Sequence, residues 1–320
     1  MKPRIYITRK LPDQLLKDFK EDFDVRMWPE EDKPVPRDVL LEEAKEAEGL
    51  LTMLSDNIDK ELFESAKNLK VVSNLAVGFD NIDLEEAKKH QVIVTNTPDV
   101  LTETTADLGF ALLMATARRI TEAAAYVKED RWQGWEPFLL AGADIYQKTI
   151  GIVGMGRIGE AVARRAKGFN MNILYHNRSR KPEAEQALGA TYVSFDELLA
   201  KSDYVMSVVP LTDETKDMFN KQAFEKMKTS AIFINISRGG TVVEEDLIEA
   251  LQQKQIQAAG LDVFREEPIR KDHPLLQLDN AVCIPHIGSA SVETRTIMVE
   301  LCLENIKGVI TGTGAKTPVE

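Results

Sequence analysis

The sequence predicts an α/β protein made of two doubly wound parallel sheets, and three observations carry that prediction. Short β-rich runs alternate with helical patterns through residue 95, and the alternation restarts at Thr149. Where it restarts, an apolar run leads into the turn Gly154-Met155-Gly156-Arg157-Ile158-Gly159 and then into an amphipathic helix. Strands alternating with helices are the pattern of a parallel sheet with crossover connections. With 320 residues the chain has the length of about two domains. Its 43% of hydrophobic residues is enough to build cores, which excludes a disordered or fibrous chain.

In the first lobe, strands are expected at 4–8, 49–54, 71–77 and 92–95, with helices over 11–20, 36–48, 59–66 and 84–90 between them. Asn96-Thr97-Pro98-Asp99 punctuates this series. The run 101–128, rich in Ala, Leu and Thr, predicts one long helix that carries the chain between lobes. The stretch 131–147 lacks periodicity but holds Trp132, Trp135 and Phe138, which makes it too apolar for a free linker. A second series of strands is expected at 150–153, 173–175, 191–193, 204–209, 231–236, 258–263 and 281–284. Helical periodicity over 291–308, through Met298, Leu301, Leu303 and Ile306, reads as a tail returning to the first lobe, and 312–320 reads as frayed.

The formal net charge of -12 repels nucleic acid and anionic membrane, so an anionic ligand must meet a local basic cluster. Cys283 and Cys302 lie in apolar surroundings without metal-ligand or redox spacing, so buried reduced thiols and no metal site are expected. Arg9 and Lys10 interrupt the first apolar run, unlike a signal peptide, and no window approaches a membrane span. A cytoplasmic location is the expectation.

The glycine turn has the spacing and the setting of a dinucleotide site. Its first glycine permits a tight turn, its second lets a pyrophosphate approach the backbone, and its third lets helix and strand pack closely. The helix N-terminus then faces the phosphate. An NAD-specific site places an Asp or Glu about 20 residues beyond this turn to bind the ribose hydroxyls. Here that distance reaches Asn177, followed by Arg178, Ser179, Arg180 and Lys181. A missing acid and a basic tip suit a 2′-phosphate, so NADPH is expected to be preferred, with NADH the alternative cofactor.

Ligands of doubly wound sheets lie beyond the carboxyl ends of the strands, so the polar residues after each apolar run are the candidates. Ser237-Arg238-Gly239-Gly240 follows 231–236, Phe264-Arg265-Glu266-Glu267-Pro268 follows 258–263, and Pro285-His286-Ile287-Gly288-Ser289 follows 281–284. An arginine, a carboxylate and a histidine are what holding, polarising and protonating a carbonyl require. Of the four histidines, His90 ends a charged helical stretch and suits a dipole-capping role. His176 ends the strand whose tip should meet an adenosine ribose, and His273 reads as a solvated residue of a charged loop. Taken singly, Arg238 reads equally well as a surface cation and Glu267 as half of a solvated acidic pair. Three successive strand ends that each offer one member of a complementary set decide for chemistry.

These residues resemble the D-isomer-specific 2-hydroxyacid dehydrogenase family along nearly the whole chain. The matching stretches are Val77-Gly78-Phe79-Asp80-Asn81-Ile82-Asp83, the glycine turn, Asn235-Ile236-Ser237-Arg238-Gly239, Gly260-Leu261-Asp262-Val263-Phe264 with Glu267-Pro268, and Pro285-His286-Ile287-Gly288-Ser289. Pro98-Asp99-Val100-Leu101-Thr102, the stretch 132–137 and the Asn177-Arg178-Ser179-Arg180 tip are most similar to its glyoxylate and hydroxypyruvate reductases. Bacterial 2-ketogluconate reductases are similar too.

The resemblance implies NADPH-dependent reduction of small 2-keto acids to D-2-hydroxy acids. It implies a flavodoxin-like substrate domain over 1–99 and 290–320, a Rossmann dinucleotide-binding domain over 100–289, and a cleft between them. His286 is then the proton donor to the keto oxygen, Glu267 holds its imidazole, and Arg238 grips the substrate carboxylate. Asp262 orients the nicotinamide carboxamide, Pro210, Thr215 and Gly288 lie along the dinucleotide, and Val77, Gly78 and Ser289 meet the substrate. An inserted arm over 120–147 is expected to build a homodimer, with Trp135 reaching the neighbouring active site. Two alternatives stay open: 2-ketogluconate as the substrate, and a dinucleotide-sensing corepressor-like binding protein that retains the triad.

Overall fold

The chain divides into two compact units, one formed by the residues up to Leu101 with those from Ser291 onward, the other by Thr102–Ala290. The computed structural model describes residues 2–319. In the first unit the strands β1 (Arg4–Ile7), β2 (Asp24–Met27), β3 (Gly49–Thr52), β4 (Val71–Asn74) and β5 (Ile93–Thr95) form one parallel sheet. Its order, β2-β1-β3-β4-β5, is the flavodoxin-like one. Every residue of β3 and β4 is buried, which is why both read as apolar runs without alternation.

β2 has no counterpart among the expected strands. It is an edge strand with Asp24 and Arg26 exposed between half-buried Val25 and Met27, and those charges interrupt the apolar signal. The helix Val292–Thr311 belongs to this unit and packs on β3, β4 and β5 through Met298, Cys302 and Ile306. Ser291 caps it by accepting from the N–H of Thr294 at 3.1 Å.

Residues 312–319 are not frayed as expected. Pro318 bridges Thr95 antiparallel, the N–H of Val319 donates to Val94 O at 2.8 Å, and Asn305 Oδ1 accepts from the N–H groups of Lys316 and Thr317 at 2.8 and 3.0 Å. Hydrogen bonds hold this polar tail, so no hydrophobic pattern announces it. Glu320 lies outside the described residues.

In the second unit β6 (Thr149–Val153), β7 (Asn172–His176), β8 (Thr191–Tyr192), β9 (Tyr204–Ser207), β10 (Ile232–Asn235), β11 (Ala258–Leu261) and β12 (Ala281–Cys283) coincide with the expected runs. All are parallel, in the order β12-β11-β10-β9-β6-β7-β8, so the winding reverses between β6 and β9. Register aligns their ends: Val153 pairs with His176 and Ser207, Asn235 with Ser207 and Leu261, and Leu261 with Cys283. The segments after these strands therefore leave one edge of the sheet side by side.

The stretch 101–128 forms two helices, Thr102–Ala117 and Ile120–Lys128, instead of one. The chain returns over the end of the first, where the N–H of Ala143 takes the carbonyl of Ala117 at 2.8 Å. Arg119 then adopts a left-handed φ of 52° and binds Glu122 with both prongs of its fork, at 2.7 and 2.8 Å. The first helix lies close on β11 because Gly260 has no side chain; a Cβ there would come within 2.6 Å of Thr116 Oγ1. Buried side chains of this core such as Leu113, Ile152 and Ile234 each stabilise the unit by about 1.5–3 kcal/mol on leaving water.

Candidate active site

The three glycines after β6 serve three different needs. Gly154 has a φ of 103°, which L side chains rarely adopt. Gly156 is the N-cap of the helix Arg157–Gly168 and has open space where a Cβ would stand. At Gly159 a Cβ would run into the Gly154 carbonyl, so helix and strand touch there. A tight turn, an open cradle and a helix N-terminus whose cap brings no side chain fit the pyrophosphate of a dinucleotide. Ile158, half-buried, packs behind the turn against the core.

The tip of β7 is tied to this turn. Asn177 Oδ1 accepts from the N–H of Met155 at 3.3 Å, and its Nδ2 donates to Ser179 O at 2.9 Å. Arg178 and Ser179 are exposed beside it. Arg180, part of the expected basic tip, is already paired: its Nε and Nη2 each donate to Glu185 at 2.7 Å. Glu185 also accepts from Tyr175 Oη at 2.7 Å, and hydrogen bonds from Arg180 and then Tyr175 hold its carboxyl at about 2. Spacing carried no sign of this partner, which sits on the next helix, Pro182–Leu188. Beyond β9, Thr215 Oγ1 donates to Pro210 O at 2.6 Å and closes the turn over 210–215.

At the ends of β10, β11 and β12 the three expected residues do share one cluster. His286 Nδ1 lies 2.7 Å from Glu267 Oε2, and Glu267 Oε1 accepts from the N–H of Phe264 at 2.9 Å. The two side chains are 23% and 27% exposed, so a small solute can reach them while much of their hydration is lost. Burial alone would raise the Glu267 carboxyl; the hydrogen bond and charge of His286, the Phe264 amide and the charge of Arg238 together hold it below the ordinary value. Arg238, half-buried, has its carbonyl fixed by Asn235 Nδ2 at 3.1 Å and Thr241 Oγ1 at 2.8 Å, and its Nη1 donates to Ser237 O at 2.9 Å.

His286 itself has a left-handed φ of 49°, strained for a residue with a side chain. Asp262 braces it: Oδ1 accepts from the N–H of Ile287 at 2.7 Å and Oδ2 from that of buried Gly288 at 2.8 Å. Ser289 follows, half-buried. Burial pushes the Asp262 carboxyl from 3.8 up to about 6. Between those values the folded chain binds a proton that the unfolded chain has released, so stability is lost as pH rises through that window. Denaturant midpoints measured from about pH 4 to about pH 7 should fall as pH rises for the wild type and run flatter for Asp262→Asn; parallel curves would rule this out.

The other histidines have structural partners. His90 caps its helix with Nδ1 2.9 Å from Glu86 O, and His176 Nδ1 lies 3.1 Å from Val193 O. His273 is not the solvated residue expected: it accepts from the N–H of Leu275 at 3.3 Å and its Nε2 lies 3.4 Å from Glu244 Oε2. Glu244 also accepts from the N–H of Arg265 at 2.6 Å, bracing the loop that carries Glu267; only the folded chain reveals it.

In the first unit, the Val77 and Gly78 carbonyls accept from Asn96 Nδ2 at 2.8 Å and Asn74 Nδ2 at 2.9 Å, which sets the geometry of that turn. In the second, Trp135 and Phe138 are 82% and 86% exposed, so they do not fill a core of this chain. A groove of about 750 Å³ lined by Arg119, Glu122, Lys254, Gln257 and Asn280 lies by the start of β11 and the loop before β12, the edge opposite the histidine. Its size does not make it the reaction site, since the acid-base pair is elsewhere. Among the described residues no cluster suited to a metal ion occurs, and no helix is long and apolar enough to cross a membrane.

A glycine turn made for a pyrophosphate and a histidine-carboxylate pair beside an arginine, on one edge of one sheet, define a dinucleotide-dependent oxidoreductase. Comparison with known proteins agrees: the NAD binding domain of D-isomer specific 2-hydroxyacid dehydrogenases matches residues 110–288. Glyoxylate reductase of Thermococcus onnurineus (strain NA1) is 51% identical over 310 residues, covering 96% of this chain and 92% of the relative. A solved structure from Thermus thermophilus matches with a TM-score of 0.93 at 43% identity, covering 99% of this chain and 100% of the other. The NADPH-dependent glyoxylate/hydroxypyruvate reductase of Sinorhizobium meliloti, in complex with NADP and malonate, matches with a TM-score of 0.87 at 33% identity, covering 100% and 97%. The chain belongs to the D-isomer specific 2-hydroxyacid dehydrogenase family and is an NAD(P)-dependent oxidoreductase.

Proposed function

We propose that this chain reduces glyoxylate to glycolate, and hydroxypyruvate as a second substrate to D-glycerate, with NADPH preferred over NADH. The observation that carries the reading is the His286–Glu267 pair at 2.7 Å beside Arg238. With Nδ1 turned to the carboxylate, Nε2 is the ring atom left to give a proton to the keto oxygen. Arg238 binds the substrate carboxylate through charge-assisted hydrogen bonds and polarises the adjacent carbonyl. A nicotinamide dinucleotide, when bound, supplies the hydride. Asp262 holds the backbone on which His286 stands and, at the same strand end, is the residue that would orient a carboxamide.

Two features support the cofactor preference: no acid occupies position 177, and Arg178 is exposed at the tip of β7. Arg178→Ala is expected to weaken NADPH by about tenfold while leaving NADH nearly unchanged, because only one of them carries the phosphate. The test is kcat/KM for glyoxylate, hydroxypyruvate and 2-ketogluconate with each dinucleotide. Glyoxylate with NADPH should lead; a preference for NADH, or for 2-ketogluconate, would overturn the corresponding half of the reading.

The exposed Ile120, Val127, Trp132, Trp135 and Phe138 support a homodimer, since one stretch of chain here leaves five large apolar side chains in water. The expected mass in solution is twice the chain's 35.9 kDa, and Trp135→Ala should alter keto acid preference. A monomer at micromolar concentration would refute it.

A further inference from the structure

We propose that Glu185 sets how strongly the site discriminates between the two dinucleotides, by pairing with Arg180 and so cancelling one of the two guanidinium charges at the tip of β7. This rests on the reading that Arg178 meets a 2′-phosphate. The pair is bidentate, with both N–O distances at 2.7 Å, and it uses the fork geometry that a phosphate would otherwise occupy.

Glu185 is also anchored, unlike a carboxylate on a free surface. It is 17% exposed, while Arg180 is 65% exposed. Tyr175, whose ring is fully buried in β7, donates its hydroxyl to Glu185 and accepts from the N–H of Lys181 at 2.8 Å. Strand, loop and helix are thereby joined through one carboxylate. A phosphate that competes for Arg180 must displace an acceptor that the fold already holds in place.

The basic tip of β7 therefore does have an acid beside it. It arrives from the following helix and not from the strand tip, and it acts on the arginine and not on the ribose hydroxyls. Discrimination then falls mainly to Arg178, so NADH stays within reach as a second cofactor.

Glu185→Gln keeps the shape and an acceptor for Tyr175 while removing the charge. Dissociation constants of NADPH and NADH, measured by calorimetry on the wild type, Glu185→Gln, Arg180→Ala and the double variant, form a complete cycle. Glu185→Gln is expected to tighten NADPH relative to NADH by about fivefold. Arg180→Ala alone should change that ratio by less than about twofold, yet abolish the gain when combined with Glu185→Gln. A weaker NADPH in Glu185→Gln, or strictly additive effects, would overturn the proposal. Tyr175→Phe, which loosens the anchor and keeps the carboxylate, should give a smaller gain of the same sign and replaces Glu185→Gln should that variant not fold. Arg178→Ala measured alongside separates the two readings: an unchanged ratio there sinks the phosphate reading, whereas a lowered ratio with a flat cycle sinks only the role of Glu185.

Discussion

Replacing His286 with alanine is expected to lower kcat for keto acid reduction by about 10²–10⁴-fold, the usual contribution of a positioned general acid. The affinity for the dinucleotide should stay within about twofold, because the glycine turn that would hold the pyrophosphate follows β6 whereas His286 stands beyond β12. Alanine keeps the Cβ and with it the strain of the left-handed φ of 49°, and Asp262 still accepts from the N–H groups of Ile287 and Gly288, so the turn is expected to keep its shape. Stopped-flow rates of nucleotide oxidation and a separate binding titration read the two quantities independently. Near wild-type turnover would mean that another group delivers the proton.

Arg238→Ala should lower kcat/KM by about 10²–10³-fold, with KM for the keto acid raised and kcat reduced together. On the proposed reading Arg238 does two things at once: it binds the substrate carboxylate and draws electron density from the neighbouring carbonyl. Arg238→Lys should recover little, since an ammonium lacks the planar fork. The loss should be accompanied by a change at Glu267, whose carboxyl is held down in part by the Arg238 charge. A fall in kcat with an unaltered KM would contradict the carboxylate contact and leave only the polarising role.

The parts of the fold that bury apolar surface were legible in the sequence. β9, β10 and β11 are buried throughout, and the candidate residues Arg238 and Glu267 follow the runs of the last two. The meeting of His286 and Glu267 followed from the same logic, because parallel strands in register deliver consecutive loops to one edge. What stayed hidden depends on polar contacts between distant residues. β2 is a charged edge strand, 312–319 is held by Asn305, and the break at Arg119 arises because Ala143 returns to cap Ala117. Glu185 belongs to the same class: a count of arginines near position 178 registers their charge, and only the folded helix shows that one is already paired.

The most direct test of the central claim is the product formed when the chain, NADPH and hydroxypyruvate are mixed and the glycerate is resolved by configuration. The account predicts D-glycerate alone, formed in step with NADPH oxidation and faster than with NADH at equal concentration. L-glycerate, or no nucleotide oxidation with either hydroxypyruvate or glyoxylate, would contradict it.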